Sequence, residues 1–228
     1  MTPAPLSVVI PTLNAAPQIG PTLARVALGL VDGPVREVVI SDGGSTDDIE
    51  EIADGVGARF VSGPPGRGGQ LRRGAEAAVG EWLLFLHADT LLPADWPEVA
   101  MRHIEDAPEQ AGAFRLRFDD PGWAAGWVAG WANWRSRLFA LPFGDQGLLL
   151  SRALYDAVGG YPEIPLMEDV ALVEALGRRR LRLLPAAVTT SAERYQREGW
   201  LRRGLKNWRC LALYRAGVPP EEIVERYR

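Results

Sequence analysis

Between Glu81 and Thr90 the sequence reads EWLLFLHADT, an apolar run that stops abruptly at a histidine and an aspartate. Gly80 precedes it and polar residues follow. A run this short and so bounded predicts a strand covered on both faces, as parallel strands are in α/β proteins. Periodicity alone leaves a buried helix open. The neighbouring segments favour the strand, because strand-like and helix-like patterns alternate in the order of βαβ units. In such sheets ligands collect beyond the carboxyl ends of strands, which is where Asp89 would lie.

Upstream, LSVVI (Leu6–Ile10) and EVVIS (Glu37–Ser41) read as strands, with apolar residues at helical spacing over Ile19–Leu30 and a capped helix opening at Ser45 or Thr46. Ala58–Ser62 is a short third strand, GPPGRGGQ a glycine-rich loop and Leu71–Val79 a helix. Downstream, a helix is expected over Pro93–Asp106 and an alternating strand over Ala111–Phe118. Pro121–Leu141 reads as a helix carrying Trp123, Trp127, Trp131 and Trp134 on one face. Gly144–Ser151 predicts a strand, Arg152–Val158 and Glu168–Arg178 helices, Leu181–Leu184 a last edge strand, and the tail from Glu193 a helical, arginine-rich segment broken at GVPPEE.

A chain of 228 residues with 47% hydrophobic content is read as one folded domain, 1–228. A net charge of −4 excludes the basic footprint of a nucleic-acid binder, so no nucleic-acid partner is expected. The lone cysteine, Cys210, rules out an internal disulfide and a thiolate metal cluster, and suits a reducing, cytoplasmic setting. The start, MTPAPLSVVIPTLN, has no basic n-region and too short an apolar run for a signal peptide. No apolar stretch approaches the roughly 20 residues of a membrane span.

Three aspartates stand in turns that follow strand-like runs: Asp42 in SDGGSTDD, Asp89 in HADT and Asp145 in GDQG. Singly, each is as easily turn chemistry or a helix cap. Together, on strands of one parallel sheet that end on the same edge, they converge in one cleft. A strand-end aspartate beside His87 suits a divalent cation, Mn²⁺ or Mg²⁺, shared with a diphosphate; the plainer reading of His87 is a packing or hydrogen-bonding histidine. The glycines of GPPGRGGQLRR would let backbone amides approach a ligand, with Arg67, Arg72 and Arg73 supplying charge, unless the last two form a solvated helix face. Glu168 and Asp169 open a helix, where carboxylates cap the dipole; one at the mouth of a cleft can also serve as a general base. The tryptophan row is read first as core or acceptor-cleft packing and second as an interfacial helix touching lipid.

Taken together these residues resemble a family 2 glycosyltransferase of the nucleotide-diphospho-sugar transferase (GT-A) fold, an α/β fold with a Rossmann-like, mostly parallel central sheet flanked by helices. SVVIPTLN, VVISDGGSTD, GEWLLFLHADT and GGYPEIPLMEDV carry the resemblance across nearly the whole chain. LHADT, FGDQG, PLMEDV and TTSAERY look closest to the subgroup labelled arsenosugar-biosynthesis-associated, a label that fixes no substrate. The resemblance implies a nucleotide-sugar-binding half (1–92), an acceptor half (93–190) and a helical tail (191–228). It implies that Pro11, Thr12 and Asn14 line the nucleoside pocket and that Asp42 contacts base or ribose; the family's ARN pattern is absent, Leu71 and Arg72 standing in its place, so Arg67 and Arg72 are expected on the donor side by their charge alone. Asp89 matches the second aspartate of the family's DxD metal motif, with His87 in place of the first. Asp169, or its neighbour Glu168, matches the catalytic base of the ED motif; Asp145, Gln146 and Trp131 fall on the acceptor side, and Arg194 and Tyr195 match the position of an RW element near the donor.

The function so implied is metal-dependent, inverting transfer of a sugar from a nucleotide-diphosphate donor to the hydroxyl of a small-molecule or lipid-linked acceptor. Peripheral contact of the tail arginines with the inner face of a membrane goes with the lipid-linked case; the preferred reading is that they flank helices packed on the domain and pair with its excess acid. Two alternatives stay open at this stage. A nucleotidyltransferase would want glycine and basic charge directly after the first strand, where this chain has PTLNAAPQ. A non-catalytic nucleotide-sugar binder or membrane-peripheral scaffold would keep the fold and use the tryptophan helix and basic tail for partners. Oligomeric state has no signature in the sequence.

Overall fold

Leu6–Thr12 forms β1, whose alternate residues serve two cores: Leu6, Val8 and Ile10 enter one and Val9 the other, all fully buried. That two-sided burial explains the unbroken apolar run. It recurs in β2 (Val35–Asp42) and β4 (Trp82–Phe85), which flank β1 in parallel. In this computed structural model residues 5–31 and 33–227 are described. Residues 1–4, Asp32 and Arg228, where the expected domain begins and the tail ends, lie outside the described residues.

Between these strands run α1 (Ala16–Val26), α2 (Ile49–Gly55), the short β3 (Arg59–Ser62) and α3 (Arg67–Ala77). The helix α1 starts before the predicted Ile19, since Pro17 sits in its first turn, where a missing N–H costs nothing. Then come β5 (Thr90–Leu91), α4 (Trp96–Asp106), β6 (Ala111–Phe118), α5 (Trp123–Phe139), β7 (Leu148–Ser151), α6 (Arg152–Ala157), α7 (Glu168–Leu176) and β8 (Leu181–Thr190). Three helices close the chain: α8 (Glu193–Glu198), α9 (Trp200–Arg215) and α10 (Pro220–Tyr227). The strands form one eight-stranded sheet in the order β3-β2-β1-β4-β7-β6-β8-β5. It is parallel from β3 through β4, and β7 then runs antiparallel to both β4 and β6.

Several expectations are corrected here. The run ending in HADT is not one strand: β4 stops at Phe85, because its β7 partner begins at Leu148, paired with Phe85. After a turn at His87, in which Thr90 N–H donates to His87 O at 3.2 Å, Thr90 and Leu91 pair with β8 at the far end of the sheet. Gly144–Gln146 is a 3₁₀ turn rather than the start of a strand. Asp145 therefore precedes β7 instead of following a strand, and it reaches the same edge as Asp89 only because β7 is antiparallel to β4. The strand β8 runs past Leu184 to Thr190 and is interior, between β6 and β5. Pro185, which reads as a stop signal, falls in a stretch where the register with β6 shifts, and a shift of this kind tolerates a residue without an N–H.

The glycine-rich segment is also not all loop. Arg67–Gln70 is the first turn of α3, launched from Gly66 at φ +139. Gly68 serves close packing of chain on chain, since a methyl group there would meet Pro162 O at 2.2 Å.

The tryptophan helix lies the opposite way to its first reading. Ala125, Val128, Ala129 and Ala132 face the core, while Trp123, Trp127, Trp131 and Trp134 are 85, 60, 37 and 45% exposed. The small residues let the α5 backbone approach β6, where Asn133 accepts from Leu116 N–H at 2.7 Å and donates to Leu116 O at 3.0 Å.

Candidate active site

At the edge where β1, β2 and β4 end, two adjoining cavities of about 330 and 150 Å³ open. Arg67, His87, Asp89 and Arg194 line both, which makes them the seam between the chamber on the expected donor side and the one on the expected acceptor side.

The donor side is built from the ends of β1 and β2. Pro11 and Thr12 line it. Asp42 lies behind the wall: its Oδ1 accepts from Thr12 Oγ1 at 3.0 Å and Ser45 Oγ at 2.5 Å, and its Oδ2 accepts from the Gly44 and Ser45 N–H groups at 2.7 Å each. Burial works to raise the Asp42 pKa, but the bonds from Ser45, Gly44 and Thr12 outweigh it and hold the carboxyl below its ordinary value. Its oxygens are committed to the turn. Asn14, at φ +51, likewise ties two loops together, accepting from Thr46 N–H at 2.9 Å, and is not on the cavity wall. Gln70, which carries no motif in the sequence, donates to Thr12 O at 2.6 Å and Ser41 O at 3.2 Å, pinning the two strand ends from within.

His87 and Asp89 follow β4. Burial, then the Arg67 and Arg194 cations, push the His87 pKa down to about 3, so its imidazole is neutral and keeps a nitrogen lone pair. Asp89 accepts no hydrogen bond from any described residue and lines both chambers. A neutral imidazole and an uncommitted carboxylate fit a hard divalent cation whose remaining positions are filled by diphosphate oxygens and water. Among the described residues no three His, Cys, Asp or Glu side chains cluster as a metal cage, so such an ion would depend on the nucleotide.

The acceptor side is set by the start of α7. Asp169 Oδ2 accepts from Gly144 N–H at 2.7 Å and Oδ1 from Val170 N–H at 2.8 Å, which fixes the carboxylate in the cavity wall. A Cβ on Gly144 would meet His87 Nε2 at 2.8 Å and Asp169 Oδ2 at 3.5 Å, so only glycine lets these two groups flank one backbone position. Glu168 points elsewhere. It is 1% exposed and paired with Arg67 Nε, while its Oε2 has no hydrogen-bond partner among the described residues. Of the ED pair only Asp169 lines the cavity, and Glu168 holds Arg67 in place. Burial works against the Arg67 charge, but Glu168 and Asp169 raise its pKa further, so it remains a cation.

Asp145 lies on this side with a buried Oδ1 that has no hydrogen-bond partner among the described residues. Burial raises its pKa from 3.8 to about 6, Arg135 opposing and Asp169 reinforcing. Because folding raises this pKa, the associated stability is complete below about pH 4 and is lost as pH climbs through 6. Asp145→Asn is therefore expected to be about 2 kcal/mol more stable than the parent at pH 8 and indistinguishable at pH 4, by urea unfolding of the protein free of metal and nucleotide. A difference that fails to grow with pH would contradict this origin.

Besides Asn14, Asp42 and Glu168, three more residues expected at the site do not line these two cavities. Arg72 leans out toward Glu76 and Glu163 and donates to Tyr161 O at 3.3 Å. Gln146 is fully buried, accepting from Ser136 Oγ at 2.7 Å and donating to Phe114 O at 2.8 Å, a brace beneath the site. Trp131 lines an adjoining apolar groove that shares Phe143, Asp145, Tyr195 and Asn207 with the acceptor chamber, without reaching the chamber itself. Conversely, Thr190 and Ser191 at the end of β8 and Arg203 and Asn207 from α9 line the acceptor chamber. The arginine-rich composition of the tail was the only sequence signal for the last two.

The model of the family described as Glycosyl transferase family 2 matches residues 7–151. The glucosyl-3-phosphoglycerate synthase of Mycolicibacterium paratuberculosis is 37% identical over 97 residues, which cover 39% of this chain and 29% of that protein. The chain thus aligns with less than a third of that relative's length. A crystal structure of glucosyl-3-phosphoglycerate synthase from Mycobacterium tuberculosis, in complex with Mn²⁺, UDP and glucosyl-3-phosphoglycerate, superposes with TM-score 0.56 and 25% identity, covering 82% of this chain and 70% of that one. A mannosyltransferase from Pyrobaculum calidifontis in complex with GDP-Man and Mn²⁺ shares the fold at TM-score 0.63 and 18% identity, covering 92% of this chain and 61% of that one. The architecture is that of the GT-A glycosyltransferases, and the match over β1 through β7 shows that the chain belongs to glycosyl transferase family 2.

Proposed function

We propose that the chain transfers a sugar from a nucleoside-diphosphate donor to an acceptor hydroxyl, with inversion at the anomeric carbon. One observation carries this reading: the Asp169 carboxylate, locked by two backbone N–H groups, shares a cavity with the Arg67 and Arg194 cations and with the uncommitted Asp89. Pro11 and Thr12 hold the nucleoside end of the donor. Arg67, kept charged by Glu168, and Arg194 face the diphosphate and stabilise the negative charge it gains on leaving. Asp169 takes the proton of the acceptor hydroxyl; that oxygen bonds to the anomeric carbon as the bond to the diphosphate breaks, in one displacement and with no covalent enzyme intermediate. A divalent cation on Asp89 and His87 would supply further neutralisation of the diphosphate. The buried Cys210 thiol suits a cytoplasmic setting for this chemistry.

Calorimetry with UDP and GDP, each with and without Mn²⁺, tests the donor half. Mn²⁺ is expected to strengthen binding of one of them at least tenfold, and Asp89→Ala to abolish that gain while leaving metal-free binding nearly unchanged. Equal Mn²⁺ dependence in both proteins would remove Asp89 from the donor site.

A further inference from the structure

One large surface takes no part in the steps proposed so far. Trp123, Trp127, Trp131, Trp134 and Leu138 recur along α5 at spacings of four, four, three and four, and all are exposed. On α9, Leu201, Leu205 and Trp208 form a second stripe, 69, 71 and 51% exposed. The stripes join: the Trp131 ring stacks on Trp134 with centroids 4.9 Å apart, and lies 6.2 Å from Trp208. Five of the chain's 8 tryptophans thus stand in one exposed patch, on helices of which none, among the described residues, is long and apolar enough to cross a membrane. A contiguous apolar patch of this kind marks a surface that meets another.

The charges around it say what that other surface is. Neither helix contains an acidic residue, and together they carry seven arginines and lysines in a chain whose net charge is −4. Arg203 and Arg215 pair with Glu198 and Glu174, but Arg137, Arg202 and Arg209 border the stripes, exposed and with no acidic partner among the described residues. The nearest acids in sequence are tied to other groups: Glu198 pairs with Arg203 and Lys206, and Asp119 and Asp120, before α5, accept from Ala192 N–H and Gln196 at 2.7 Å each. Tryptophan and leucine flanked by arginine is the composition of helices that lie in a headgroup layer, where rings reach the acyl boundary and guanidinium groups meet phosphate. A second copy of the chain would oppose like charges across the same face.

We propose that the α5–α9 face docks on an anionic phospholipid bilayer. The consequence for the reaction rests on the glycosyltransferase reading. Between the two helices lies an apolar groove of about 410 Å³, lined by Trp127, Trp131, Leu205 and Trp208, whose inner end reaches Asp145 and Asn207, residues that also line the acceptor chamber. Docking brings that chamber to the lipid surface, so the acceptor is an amphiphile whose hydroxyl reaches Asp169 while its chain lies in the groove.

Flotation of the full chain with phosphatidylcholine vesicles, and with vesicles containing 30% phosphatidylglycerol, tests the docking. Brominated acyl chains report depth through quenching of tryptophan emission. Binding and quenching are expected only with the anionic vesicles, and at least tenfold weaker binding is expected for Trp123→Gln/Leu205→Gln and for Arg202→Glu/Arg209→Glu. No association, equal association with neutral vesicles, binding unaltered in both double variants, or a lipid-free dimer that protects these tryptophans would each overturn the proposal. UDP and GDP binding without vesicles separates the two readings. Retained nucleotide binding with no flotation sinks docking alone, and flotation without nucleotide binding sinks the transferase reading alone.

Discussion

Asp169→Asn is expected to lower sugar transfer by about a thousandfold while leaving UDP or GDP affinity close to that of the parent and costing about 1 kcal/mol of unfolding free energy. General bases contribute roughly 10²–10⁴-fold, and asparagine removes the basic oxygen; its one carbonyl oxygen keeps the bond from Gly144 N–H, now 2.7 Å, and gives up the one from Val170 N–H, now 2.8 Å. The neighbouring Glu168→Gln separates the two members of the ED pair. Glu168 is 1% exposed and absent from the cavity wall, so its replacement acts through Arg67 and weakens donor binding rather than proton transfer. Steady-state kinetics with separate KM and kcat distinguish them: a loss in kcat for Asp169→Asn and in KM for Glu168→Gln. If Asp169→Asn kept more than a tenth of the parent kcat, the base would have to be another group.

Arg67→Met carries the second large effect, on stability. It leaves the Glu168 carboxylate buried with no counter-charge, and one Glu168 oxygen already lacks any hydrogen-bond partner among the described residues. Stranding a fully buried charge costs about 3–5 kcal/mol. Arg67 is 38% exposed, so water entering the vacated space reduces this to about 2–3 kcal/mol. Burial raises the Glu168 pKa with Arg67 opposing, so removing Arg67 raises it further and the penalty grows as pH rises. Arg67→Met/Glu168→Gln is expected to recover more than half the loss, because the stranded charge is gone. Urea unfolding at pH 8 measures both; a double variant no more stable than Arg67→Met would show that packing, not charge, holds this contact.

The sequence revealed the β1–β4 side of the sheet better than the β6–β8 side, and the reason is burial. Strands β1, β2 and β4 are covered on both faces, so their apolar runs are unbroken and the polar residues that end them stand out. The strand β8 carries Pro185 at a register shift with β6, and a proline in a strand reads as a stop until the partner strand is known. The tryptophan helix shows a different limit. Both of its faces are apolar, one built of alanine and valine and the other of tryptophan, so periodicity finds the stripe but not which side meets the sheet. Helix phase removed Arg72 from the site: it lies five residues after Arg67, about 140° around α3, and the two point apart. Asp169 and Glu168 differ by one position, and only the packed backbone of Gly144 shows which carboxylate meets the cavity. Arg203 and Asn207 come from a helix that shares no motif with the site, so only tertiary contact places them there.

The most direct test of the site is proton NMR of the sugar product formed from a nucleoside-diphosphate donor of known anomeric configuration, with and without Asp169. The expected result is a product of opposite anomeric configuration, formed by the parent and not by Asp169→Asn. A product of retained configuration, or the same product from both proteins, would contradict a single displacement driven by Asp169.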